Sequence, residues 1–281
     1  MALLRSRAWH RFSRNPLSVI GFVVMATIIL GAVLAPLITP YPQHAGAVVD
    51  VANAGKPPSL AHPFGTDTVG RDILTRTVFA YRVSLLLGVV VLALATPVGV
   101  VIGLLAGYFA GWRETVFMRV TDVFLSIPPL VLALAILGFL RPNLINAMIA
   151  VSVMWWPWYA RLTYNVTRQV ATEGYVAAAE VIGASPFHIV FREILPNCAA
   201  PIVTKMTLDL GFVILLGSSL SFLGLGVQPP TADLGSMVAE GAKYLPDLWW
   251  LALFPGLAIL VSVLGFNLMG DGINDLLGTE R

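Results

Sequence analysis

Charge-free windows of about 20 residues divide this chain, and a membrane-crossing helix needs about that length of mostly apolar sequence. Six windows stand out: residues 17–38, 83–112, 123–140, 144–160, 201–223 and 248–269. The first is closed by Pro36, Pro40 and Pro42, the third lies between Asp122 and Arg141, and the fifth is interrupted by Lys205 and Asp209. An all-α polytopic protein with six transmembrane helices is expected, with both termini on one side. Two stretches fall outside the lipid. Residues 41–82 are polar and rich in Gly and Pro, and residues 173–197 form a polar island between the fourth and fifth windows.

The island reads as two short helices. Tyr175, Ala178, Ala179 and Ile182 recur at spacings of three to four, which aligns them on one helix face. Gly183 suits a helix C-terminus, where a left-handed residue is favoured. Ser185 and Pro186 suit a restart, as N-cap and first-turn residue. Phe187, Ile189, Val190 and Phe191 follow, and Leu195-Pro196 is expected to end the element. A short helix with exposed apolar and aromatic residues suits a partner groove, or a loop folded back on its own spans.

Composition agrees with a bilayer. Of 281 residues, 57% are hydrophobic and 11% charged, against about a quarter charged in ordinary soluble domains. The net charge of +2 is too small to argue for nucleic acid. The single cysteine, Cys198, excludes an internal disulfide and a cysteine-cluster metal site. Four arginines (Arg5, Arg7, Arg11, Arg14) precede the first window. That window exceeds a signal-peptide core of about 7–15 residues, so it is read as a retained span.

Basic residues set orientation through their excess on the inner side. With the N-terminus inside, the inner flanks hold those four arginines with Arg113, Arg119, Arg161, Arg168, Arg192 and Arg281. The outer flanks hold Lys56, Arg71, Arg76, Arg82, Arg141 and Lys243, so the bias is ten to six. Both termini and the island are then cytoplasmic.

The second window carries Gly99, Gly103, Gly107 and Gly111 at a strict spacing of four. That is a small-residue face on which another helix can come close, and packing within the chain explains it. Pro97 is expected to kink this helix. Trp155, Trp156, Trp158 and Tyr159 close the fourth window, where an interfacial aromatic belt would lie. Lys205 and Asp209, at i and i+4, share a helix face and can pair. Intramembrane charges are costly and face the protein interior or an aqueous path. The pair is therefore either a substrate-pathway site, with Asp209 meeting a substrate amine, or a structural ion pair with Lys205 snorkelling.

No metal site is expected. His62, Asp67 and Asp72 match no ligand motif, and Asp72 suits an N-cap for the apolar stretch after it. The four histidines, His10, His44, His62 and His188, are scattered. No phosphate-binding G-x-x-x-x-G-K-[ST] loop, G-x-S-x-G or H-E-x-x-H occurs, so no catalytic constellation is expected.

The island AAAEVIGASPFHIVFREILPN resembles the EAA loop of ABC-importer permeases. RNPLSVIGFVV, HPFGTDTVGRDILTRTVFAYRVSLLLG, SLSFLGLGVQPPTADLGSMV and FPGLAILVSVLGFNLMGDGINDLL are similar to the dipeptide/oligopeptide/nickel permeases, and within these to the C-type subunit. The resemblance implies a type I ABC-importer permease fold: residues 1–40 as cytoplasmic N-terminus and first helix, 41–82 extracytoplasmic, and 83–281 as a five-helix core. It implies import of di- or oligopeptides, with nickel complexes, glutathione or opine-like solutes as other cargoes of the same machine. An ion-coupled secondary transporter is the alternative of another class. The implied partners are a second, B-type permease subunit, two cytoplasmic ATPase subunits that bind ATP and Mg2+, and an extracytoplasmic substrate-binding protein in a bacterial inner membrane. This chain would bind no cofactor. The implied coupling residues are Ala177, Ala178, Ala179, Glu180, Gly183, Ala184, Ser185, Pro186, Phe187, Leu195 and Pro196. The family usually has Glu as the first residue of the EAA triplet, where this chain has Ala177.

Overall fold

The computed structural model describes residues 12–277. Arg5, Arg7, His10, Arg11 and Arg281 lie outside the described residues. Among the described residues the regular structure is helical, apart from one isolated bridge between Thr66 and Asp72. The helices are α1 (Pro16–Ile38), α2 (Ile73–Tyr108), α3 (Trp112–Leu125), α4 (Pro129–Leu137), α5 (Leu144–Val170), α6 (Gly174–Val181), α7 (Pro186–Phe222), α8 (Leu234–Ala242) and α9 (Trp250–Leu277). By length and composition α1, α2, α7 and α9 can cross a membrane, and α3 with α4 makes a fifth candidate.

The six predicted windows map onto α1, α2, the last residues of α3 with α4, α5, α7 and α9, and the departures have physical causes. The third window is not one straight helix: α3 and α4 meet at 85°. Pro128 and Pro129 lack N–H donors, and a residue before proline is pushed out of the helical region. Alone, α4 has 9 residues and rises about 14 Å, under half of a hydrocarbon core of roughly 30 Å. The fourth window runs ten residues past Ala160 to Val170. Polar residues keep α5 out of the candidate spans by composition, although its 27 residues are long enough. Trp155 and Tyr159 therefore sit in mid-helix and are buried, not in a belt at a helix end; Trp158 is exposed. Pro97 lies inside an unbroken α2.

Three glycines let α2 and α5 meet. A Cβ at Gly99 would lie 2.3 Å from the Trp156 carbonyl oxygen, one at Gly103 2.5 Å from that of Ala160, and one at Gly107 2.6 Å from Thr167 Cβ. The fourth member of the predicted stripe does not belong to it. Gly111 lies beyond the end of α2, has φ +89° and no neighbour within 4 Å of a Cβ, and caps α3. The turn needs a left-handed residue there, so the spacing of four is coincidence at that position. α1 lies on α9 through Gly21, where a Cβ would be 2.6 Å from the Met269 backbone nitrogen.

Residues 41–72 fold onto α8 and the start of α9. Trp250 Nε1–H donates to the Thr66 carbonyl at 3.1 Å, Thr68 Oγ1 to Glu240 Oε1 at 3.0 Å, and the Phe64 and Phe254 rings stack at 4.1 Å. Asp67 accepts from Arg71 N at 2.8 Å and Arg71 Nε at 2.6 Å. Asp72 caps α2 by accepting from Thr75 N at 2.7 Å and meets His62 Nδ1 at 2.9 Å. These carboxylates are committed to protein donors, and no metal-holding cluster occurs among the described residues. α2 thus begins at the cap, ten residues before its predicted window, as the Asp72 reading required. At the other end, Asn15 Nδ2–H donates to Asp275 Oδ2 at 3.1 Å. The start of α1 and the end of α9 therefore lie together, away from the cap.

The glycine contact makes a prediction. Gly103→Val should lower the thermal midpoint of the detergent-solubilised protein, by the ~1–3 kcal/mol or more that overpacking costs. Gly31→Val, at a helix position with nothing within 4 Å of a Cβ, should leave it unchanged. Equal midpoints for the two variants would refute close α2–α5 packing.

Candidate coupling loop and intramembrane ion pair

The island joins α5 to α7, and its fold follows from its turn residues. α6 ends in a Schellman turn: Ala184 N–H donates to the Ala179 carbonyl at 3.0 Å and Gly183 N–H to that of Glu180 at 3.0 Å. Gly183 has φ +82°, which a side chain would strain. Ser185 Oγ then accepts from His188 N at 3.3 Å, and Pro186 opens α7.

Leu195-Pro196 does not end the element. A π-helical turn, Ile189–Ile194, carries the helix straight into Leu195–Phe222. Leu195 N–H donates to the Val190 carbonyl, five residues back. The wider turn sets the register just before Pro196, which has no N–H to donate, and the helix runs on through the proline without a break. Leu195 and Pro196 thus belong to the shaft of α7.

Burial separates anchor from tip. Val176, Ile189, Val190 and Ile194 are buried in the core shared with α2 and α5. Val181, Ile182 and Phe187 are 87%, 82% and 73% exposed, a bare apolar tip on a fixed base. Ile182, predicted on the apolar face of α6, sits at its end in this tip; Val176 is the true inward anchor. Ala177, Ala178 and Ser185 are exposed, and Ala179 and Ala184 half-buried. Glu180 Oε1 accepts from Tyr108 Oη at 3.1 Å, which fastens the loop to the end of α2. Asn197 Nδ2–H donates to Tyr175 Oη at 3.0 Å.

α3 lay unread in the sequence because its charges interrupt any apolar window. Glu114 accepts from Tyr164 Oη at 2.5 Å and meets Arg168 Nη1 at 3.5 Å, and Asp122 pairs with Arg161. The spacing of eight between Glu114 and Asp122, about two turns, was the available signal for one face. Asp233, which caps α8, was also missed; burial pushes its carboxyl above its ordinary value.

Lys205 and Asp209 pair as their spacing suggests. Lys205 Nζ donates to Asp209 Oδ1 at 3.0 Å, and Trp155 Nε1–H to Oδ2 at 2.9 Å. Asp209 is 3% exposed. The Lys205 ammonium lies 5.7 Å from the Trp158 ring and 5.8 Å from the Tyr159 ring. Each carboxylate oxygen thus accepts from a donor inside the protein.

A family model described as "Binding-protein-dependent transport system inner membrane component" matches residues 99–280, and one described as "N-terminal TM domain of oligopeptide transport permease C" matches residues 4–58. The chain is 41% identical to the probable D,D-dipeptide transport system permease protein DdpC of Escherichia coli (strain K12), over 94% of this chain and 87% of that one. It is 38% identical to the di/tripeptide transport system permease protein DppC of Pseudomonas aeruginosa, over 96% and 90%. A chain of the MetNI methionine ABC transporter in inward-facing conformations superposes with a TM-score of 0.50 at 20% identity. It covers 70% of this chain and 93% of that one, a likeness of fold alone.

The ion pair predicts a non-additive mutant set. Lys205→Met leaves a buried carboxylate without its cation and should cost about 3–5 kcal/mol. Lys205→Met with Asp209→Asn removes both charges and should recover most of that loss. Thermal unfolding in detergent checks it, and a double variant no better than the single would contradict the pairing.

Proposed function

The chain belongs to the family of binding-protein-dependent transport system inner membrane components, and from that premise we propose that it is the C-type permease subunit of an ATP-driven peptide importer. It is an integral inner-membrane protein that works within a complex of other subunits. Its partners in this proposal are a B-type permease, two cytoplasmic ATPases carrying ATP and Mg2+, and an outer substrate-binding protein. The printed names of the relatives, which are dipeptide and di/tripeptide permeases, support a di- or oligopeptide cargo.

The observation that carries the coupling role is the exposed tip of Val181, Ile182 and Phe187 on a buried anchor. Apolar side chains held out on a rigid turn suit insertion into a groove of a partner. Tyr108 hydrogen-bonds Glu180 at that end of the molecule, and the basic bias supports a cytoplasmic location for it, where ATPases act. Glu180 is engaged by Tyr108, so it does not stand in freely for the acid absent at Ala177, and the contact rests on shape and apolar burial. Transport then follows from alternating access. ATPase closure makes different contacts with the loop in two states, and the loop shifts the helices between them.

In a reconstituted transporter, Phe187→Ala with Ile182→Ser should cut peptide uptake at least tenfold, since central aromatic anchors carry ~2 kcal/mol or more. The permease should still insert and pair with its B-type subunit. Undiminished uptake with normal ATPase recruitment would sink the coupling assignment.

A further inference from the structure

The two members of the intramembrane ion pair are not equally sealed. The Asp209 side chain is 5% exposed and that of Lys205 27%. An ammonium has three donors. Asp209 takes one, at 3.0 Å, and the Trp158 and Tyr159 rings bed the cation at 5.7 and 5.8 Å. The open side of the pair is therefore its positive end, and the reading that set Asp209 to meet an amine is turned round.

Lys205 stands four residues inside the apolar window that opens at Pro201, roughly 6 Å along the helix. Its ammonium is turned to Asp209 and to the Trp158 and Tyr159 rings. Lys205, Phe212 and Ser219 are spaced by seven, about two helical turns, and so share one face of α7. Phe212 is exposed and Ser219 half-buried. This stripe runs into a groove of about 320 Å³ whose lining includes Leu130, Ser218, Ser219, Phe222 and Gly235. The face thus combines one bound cation, two hydroxyls and apolar walls, the mixture expected of a small-ligand route.

We propose that this face of α7 lines the substrate route and that Lys205 receives the C-terminal carboxylate of the passing peptide. The inference rests on the peptide-import reading above. Its chemistry is a charge-assisted hydrogen bond from an ammonium already aimed and partly desolvated. Asp209, Trp155 and Tyr159 act as positioning residues: they hold the cation at mid-helix without offering a free acid to the peptide amine.

Uptake of L-alanyl-L-alanine and of its C-terminal amide is measured in proteoliposomes holding the complete transporter with its binding protein. The same binding protein serves every variant, so a change in the peptide-to-amide ratio belongs to the permease. Lys205→Met with Asp209→Asn should lower that ratio about tenfold, and Lys205→Arg should keep it. A double variant with the wild-type ratio overturns the inference, whether or not its overall rate falls, because a fall in rate alone marks a structural role. A wild-type transporter that imports neither compound fails the cargo reading itself, and the inference with it.

Discussion

The rest of the structure depends on how closely α2 and α5 approach. In lipid there is no hydrophobic force between helices, so association relies on backbone proximity and dispersion contacts. Gly99, Gly103 and Gly107 supply that proximity over two turns of helix. The approach fixes α5, and α5 in turn presents Trp155 to Asp209 on α7 and Tyr164 and Arg161 to the acids of α3. The lower end of α2 then reaches the loop through Tyr108. One small-residue seam thereby sets the position of both regions assigned function.

Charges follow a consistent rule. The acids of α3 turn toward α5, Asp67 and Asp72 turn into the cap, and Asp209 turns toward α5. A carboxylate left unpaired at depth would cost several kcal/mol. The cap end is held by Arg71–Asp67, His62–Asp72 and Thr68–Glu240. At the opposite end the loop is anchored by buried Val176, Ile189, Val190 and Ile194, with single hydrogen bonds at its margins.

Local chemistry made part of this legible from sequence. Gly183, Ser185 and Pro186 declare a turn because few residues tolerate those backbone positions, and Asp72 declares a cap because its side chain competes for the first free donors. The i, i+4 ion pair was readable for the same reason. What stayed hidden was non-local. Nothing near Gly111 says that α2 has already ended, and nothing near Pro196 says that the helix will run on through it. The direction in which the Lys205–Asp209 pair opens depends on Trp155, 54 residues away. α3 escaped notice because a helix laid against charged neighbours need not be apolar.

The π-helical turn has a mechanical consequence. Since Pro186–Phe222 is one uninterrupted helix of 37 residues, Phe187 of the loop tip and the groove beside Phe222 lie at opposite ends of a single rod. No slack segment separates them to absorb a push. Carried by a rigid rod, a displacement at Phe187 reaches Phe222 as a tilt or a rotation; Lys205, near the midpoint, is moved least by a tilt, while a rotation turns it as far as any other residue.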